Sequence, residues 1–238
     1  MNNCQRCRSA NGHALCIHKV PIFASLDHRY LHRISSLIEH HTYKKGETIM
    51  QEGEWSDSLI IVEDGIVKAY TINPDGREQI LYIFSSGDFF GEKFILHDHQ
   101  ATYSVEALEE TKICRLSKKE FQQVLHAFPD IAINIISALG DRMERLELSL
   151  QNYGIRNVDA RISNLLLDFA DKYGTQKTEG MLIRLPISRE GIANYLGVTR
   201  ETVSRKLGQL EQDGIIRSIS NKSILIVKQQ QLEQMAKE

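Results

Sequence analysis

Between residues 46 and 116, apolar positions come in short runs interrupted by turn residues. Residues 58–62, 66–70 and 79–83 have strand character, and Glu63-Asp64-Gly65, Asn73-Pro74-Asp75-Gly76 and Ser85-Ser86-Gly87-Asp88 separate the segments. Short strands punctuated in this way predict an antiparallel barrel or jelly roll. After Pro129 the period becomes helical. Ala132, Ile135, Leu139, Met143, Leu146, Leu150 and Tyr153 recur at steps of three and four, a narrow heptad-like stripe, while Asp141, Arg142, Glu144, Arg145 and Glu147 fill the other face. A stripe this narrow predicts a partner helix, most simply that of a second copy, and so a homodimer.

Residues 158–173 form a further amphipathic helix, and a polar connection is expected at 174–180. A short strand is predicted at 182–185, two helices within 187–213, and a hairpin from 215–219 and 224–227 turning at Ser220-Asn221-Lys222. The two helices have the pattern of a helix-turn-helix. Ala193 is small enough for close helix approach, Gly197 suits the tight turn, and Thr199 can cap the second helix. On that second helix Val203, Leu207 and Leu210 step along one face, leaving Arg200, Glu201, Ser204 and Arg205 on the opposite one. Arginine matches guanine O6 and N7, glutamate accepts from cytosine N4, and serine can bond a base or a phosphate. The hairpin would form a wing beside it.

Charge supports this placement only locally. The 238-residue chain carries a net charge of −2, which excludes a globally basic nucleic-acid coat. Between Arg184 and Lys228, however, eight basic residues face four acidic ones, a balance of +4 where phosphates would lie. Hydrophobic residues at 42% and charged residues at 25% describe a soluble globular chain. No apolar run is long enough for a membrane span, and no signal-peptide pattern opens the chain, so the cytoplasm is expected. Nucleophile-base constellations, Walker loops and dinucleotide fingerprints are missing, and the expectation is a protein that is not an enzyme.

The cysteines are unevenly placed. Cys4, Cys7 and Cys16 occupy the first sixteen residues, and Cys114 stands alone in a predicted strand. A Cys-x2-Cys pair converges two thiolates on one soft metal, and four thiolates suit a [4Fe-4S] cluster or a tetrahedral zinc site. His18 or His13 could complete a three-cysteine zinc site instead, and free thiols in a tail with Cys114 as a core residue remain open. His40-His41 and His97-Asp98-His99 read as solvated loops or helix ends.

A Gly-punctuated barrel, a long helix and a winged helix-turn-helix, in that order, resemble the CRP/FNR superfamily of transcription regulators over nearly the whole chain. The implied fold is α+β: a cysteine segment at 1–20, a cyclic-nucleotide-binding-like β jelly-roll barrel at 21–128, a dimerisation helix at 129–156 and a DNA-binding domain at 157–238. Glu201-Thr202-Val203-Ser204-Arg205 is similar to the E-x-x-S-R signature of the FNR branch. That resemblance implies a TTGAT-N4-ATCAA-like operator read by Glu201, Ser204 and Arg205, with Thr199, Arg200, Arg189 and Lys206 as further contacts to double-stranded DNA, and RNA polymerase as a partner. Ile135, Leu139, Met143, Leu146, Leu150 and Tyr153 would dimerise. The family's acidic dimer-switch position aligns with Leu146, which leaves a permanent dimer equally open.

The same resemblance bears on the effector. Cyclic-nucleotide-binding members follow Gly-Glu with an arginine that neutralises the phosphate; here Gly91-Glu92 is present, but the later stretch reads His99-Gln100-Ala101-Thr102, so cAMP is not expected. FNR proteins hold a [4Fe-4S] cluster on three N-terminal cysteines and one in the barrel, which implies Cys4, Cys7, Cys16 and Cys114 as ligands in an oxygen or redox sensor. The eight residues between Cys7 and Cys16 exceed the gap in the best-known members. Thiol-disulfide sensing and zinc are the alternatives.

Overall fold

A computed structural model describes residues 20–23, 34, 36–96, 100–154 and 157–237. Cys4, Cys7, Cys16, His13, His18 and the His97-Asp98-His99 run lie outside the described residues. Two compact units emerge: Met1–Thr71 with Leu81–Arg145, and Ile72–Ile80 with Leu146–Glu238.

Among the described residues two four-stranded antiparallel sheets form the expected jelly-roll arrangement. Strands β1 (Glu39–Tyr43), β8 (Thr111–Ser117), β3 (Ser58–Asp64) and β6 (Phe89–Phe90) are adjacent in that order. The other sheet runs β2 (Thr48–Met50), β7 (Ser104–Ala107), β4 (Ile66–Ile72) and β5 (Glu78–Ser85). The run Leu59-Ile60-Ile61-Val62 is apolar throughout because β3 is covered on both faces. Ile60 and Val62 pack into the layer between the sheets with Val67, Val105 and Ile113. Leu59 and Ile61 turn the other way, into a second cluster with Val20, Ile22, Phe23, Cys114, Ile131 and Ile135.

Among the described residues this part of the chain also carries α1 (Glu92–Leu96), α2 (Lys118–Ala127) and the long α3 (Pro129–Gly154). Ser117 opens α2 with a capping box, its hydroxyl accepting from the Glu120 N–H while the Glu120 side chain accepts from the Ser117 N–H. Strand β1 was not expected. Its His40-His41 pair, anticipated in a loop or helix end, lies in a strand because residues 39–43 pair in register with β8.

The second unit contains α4 (Val158–Tyr173), α5 (Arg189–Leu196), α6 (Arg200–Gln212) and α7 (Gln229–Met235), with a sheet ordered β11 (Ile216–Ser220), β12 (Ser223–Ile226), β10 (Gly180–Arg184), β9 (Gly174–Lys177). Residues 174–180, anticipated as a polar connection, begin with strand β9. Its polar residues fit because it is an exposed edge strand that β10 alone pairs. Helix α7 was likewise unanticipated; it buries Leu232 completely, and Asn164 on α4 donates to the Ala236 carbonyl at 3.1 Å.

Among the described residues no helix is long and apolar enough to cross a membrane.

Candidate DNA interface and barrel cysteine site

The two helices of the reading element are fixed at their ends by local chemistry. Ser188 caps α5, accepting from the Gly191 N–H at 3.2 Å. Gly197 then closes α5 with φ +64° and ψ +39°, a left-handed conformation that a residue with a Cβ enters only at a cost. Two residues later Thr199 caps α6, accepting from the Thr202 N–H at 3.2 Å. The helices therefore meet at a turn that residues 197–199 dictate.

Packing sets the orientation of α6. Val203, Leu207 and Leu210 are buried, as are Ile192, Ala193 and Leu196 on α5. Arg200, Glu201 and Arg205 are exposed on the other side, Ser204 and Arg189 are partly exposed, and Thr199 is exposed at the helix start. Lys206 is placed differently from its neighbours. Its ammonium lies 2.6 Å from Asp159 Oδ2 on α4, so it ties α6 to that helix. Two more of the eight basic residues are engaged within the unit: Arg217 pairs with Glu179, and Lys228 donates to the Asp213 carbonyl at 3.0 Å. Beside α6, β11 and β12 form the anticipated wing, whose register shifts between Ser218 and Ser220.

Helix α3 divides the expected dimer stripe. Ile135 is buried in the barrel's own cluster, and Leu139 packs against it. Met143 and Leu146 are exposed at 61% and 42%, and so are Ile133 and Ile136, which stand outside the heptad-like stripe, at 64% and 68%. Leu150 and Tyr153 fall within the helix, but their side chains lie outside the described residues. The exposed apolar line thus starts at Ile133, because the barrel takes Ile131 and Ile135.

Inside the barrel, Gly91 adopts φ +88°, and a Cβ there would lie 2.6 Å from the Ser58 carbonyl oxygen. The Glu92 carboxylate that follows is buried, and Arg142 Nη1 from α3 reaches it at 3.2 Å. The same guanidinium stacks over Phe84 and Phe89, 5.3 and 4.6 Å from the ring centroids. An arginine does reach the Gly-Glu motif, then, but from a helix distant in sequence, and its charge is matched by Glu92. Burial raises the Tyr103 and Tyr82 phenols above the ordinary tyrosine range, so both stay neutral beside this pair.

Cys114 lies on the opposite face of the first sheet, 3% exposed. Strand pairing sets His40 and Ile61 directly beside it, one on each side. Register shifts between Val62 and Asp64, and Glu63, two residues from Ile61, lies at this irregularity. His40 Nδ1 is 3.5 Å and Glu63 Oε2 3.6 Å from Cys114 Sγ, and those two atoms are 3.2 Å apart. Neither His40 nor Glu63 was a candidate on sequence. The only local hint was the His40-His41 pair, and nothing nearby marked it as a strand.

Two family descriptions match: a cyclic nucleotide-binding domain over residues 40–128 and a Crp-like helix-turn-helix domain over residues 160–235. The nitrogen fixation regulation protein FixK of Bradyrhizobium diazoefficiens is 30% identical over 219 residues, spanning 88% of this chain and 88% of that protein. The chain belongs to the CRP/FNR family. A CRP/FNR regulator is a DNA-binding transcription factor, and these proteins act as dimers. The probable transcriptional regulator flp of Lacticaseibacillus casei is 29% identical over 221 residues, covering 93% and 98% of the two chains. Among solved structures, FixK2 from Bradyrhizobium japonicum superimposes with a TM-score of 0.73 at 26% identity, covering 83% of this CRP/FNR chain and 96% of that one. The family contains both cAMP-activated regulators and fumarate and nitrate reduction regulators.

Proposed function

We propose that this regulator is an FNR-like, oxygen- or redox-responsive protein that binds a TTGAT-N4-ATCAA-like inverted repeat as a homodimer in the cytoplasm and acts there on RNA polymerase. The observation that carries the reading is the outward face of α6. Arg205 supplies two donors for guanine O6 and N7, Glu201 an acceptor for cytosine N4, and Ser204 a hydroxyl for a base or phosphate. Thr199 and Arg200 open the same helix and Arg189 opens α5, and these three would take the phosphates. Lys206 contributes by holding α6 against α4 through Asp159. Ile133, Ile136, Met143 and Leu146 offer the exposed apolar line for a second copy.

The proposed signal enters at sulfur, through Cys4, Cys7, Cys16 and Cys114. Cys114 shares an apolar cluster with Ile131 and Ile135 of α3, so a change at its sulfur disturbs the packing of the helix that bears the dimer line. A [4Fe-4S] cluster on these four cysteines would take four thiolates. Among the described residues, the donors beside Cys114 are an imidazole and a carboxylate, and a cluster thiolate there would face Glu63 at 3.6 Å. These donors favour thiol exchange or a mixed-ligand divalent ion as the sulfur chemistry.

Fluorescence anisotropy with the TTGAT palindrome and with a duplex of scrambled half-sites tests the DNA reading. Roughly 10³-fold or greater preference for the palindrome is expected at physiological salt. Equal affinity for both duplexes would overturn it.

A further inference from the structure

We infer that His40, Glu63 and Cys114 form a binding site for one divalent transition-metal ion of the zinc class. The inference does not depend on which operator α6 reads, and it gives Cys114 a role other than that of a cluster ligand.

A tetrahedral zinc ion takes sulfur at about 2.3 Å and nitrogen or oxygen at about 2.0–2.2 Å, and donor atoms at tetrahedral angles are then roughly 3.3–3.6 Å apart. The three separations here are 3.2, 3.5 and 3.6 Å. An ion could touch all three donors with adjustments of a few tenths of an ångström. No rotamer needs to be reinvented, because the pairing of β1, β8 and β3 already aims the side chains at one another.

Charge points the same way. A thiolate, a carboxylate and a neutral imidazole sum to −2, which a divalent cation neutralises. Cys114 is 3% exposed and the Glu63 side chain 12% exposed, and at that depth a thiolate and a carboxylate attract a divalent cation more strongly than exposed donors do. Donor softness narrows the ion. Calcium and magnesium take oxygen ligands, whereas one nitrogen, one oxygen and one sulfur suit zinc or cobalt. The His40 side chain is 24% exposed, which leaves a route from solvent to the site.

Cobalt(II), added to the chelator-treated full-length chain, is the probe. The parent should bind it with a thiolate-to-cobalt charge-transfer absorption and the strong visible bands of four-coordinate cobalt, at one ion retained per chain in a Cys4→Ser, Cys7→Ser, Cys16→Ser variant. Cys114→Ser should lose the charge-transfer band. Because that cysteine is deep in the core, His40→Gln and Glu63→Gln carry the decisive test: each should weaken cobalt binding at least 10-fold while circular dichroism of the metal-free protein is unchanged. Cobalt should also raise the thermal midpoint of the parent more than that of Glu63→Gln. Parent-like affinity in both glutamine variants would overturn the site, as would complete loss of binding in the triple serine variant. That second result would assign any bound metal to the N-terminal thiols, leaving the DNA reading untouched.

Discussion

Glu201, Ser204 and Arg205 reach one surface because they stand three and four residues apart on a single helix, whereas His40 and Cys114 meet across 74 residues of chain because two strands pair in one register. The reader is assembled by caps, a turn and a helical period, all written within about one turn of where they act. The barrel site is assembled by topology, and a one-residue slip of β1 would point His40 away from the sulfur. A local site tolerates change elsewhere in the chain. A site built on register depends on the core that fixes the strands.

The largest expected contrast follows from that dependence. Leu59 is fully buried on β3, two residues from Ile61. Leu59→Ala should cost about 2–5 kcal/mol in urea unfolding and loosen the barrel site with it. Met143→Ala, at a side chain 61% exposed, should change the same measurement by well under 1 kcal/mol, roughly the scale of surface substitutions.

A smaller effect, confined to the other region, is expected from Arg205→Ala. Anisotropy titration of the TTGAT duplex should show a loss of about 1–3 kcal/mol per half-site and relaxed discrimination at the guanine, with cobalt binding as in the parent. Arg205→Lys should restore little of the discrimination, because an ammonium cannot bond two base acceptors in a fixed fork. The smallest effect belongs to the cap. Thr199→Val removes the hydroxyl that accepts from the Thr202 N–H and should cost about 0.5–2 kcal/mol of thermal stability, while Thr199→Ser should lose only a fraction of that.

How far each region was legible follows the same division. Gly197, Thr199 and the buried steps Val203, Leu207 and Leu210 announce the reading element, since cap, turn and period all act between near neighbours. The barrel was legible as an architecture, because Gly-rich turns between short apolar runs force antiparallel returns. Its chemistry was not. His40 looked like a loop residue, Glu63 belonged to the turn signal Glu63-Asp64-Gly65, and only pairing across β8 makes them ligating neighbours of Cys114. Arg142 stands in the sequence among the charges opposite the apolar stripe for a similar reason. Nothing local says that it enters the barrel to meet Glu92. The dimer stripe was half legible: the helix and its apolar positions stand where the period put them, but the barrel claims Ile135, and Ile133 and Ile136 form the exposed start of the line.

The coupling of sulfur to DNA is tested most directly by operator occupancy of the full-length protein, prepared without oxygen and titrated onto the TTGAT palindrome before and after exposure to air. The parent should change its affinity on aeration, and a variant with Cys4, Cys7, Cys16 and Cys114 all replaced by serine should bind with an affinity that air does not alter. A serine variant that binds as tightly as the parent and responds to air in the same way would contradict the account.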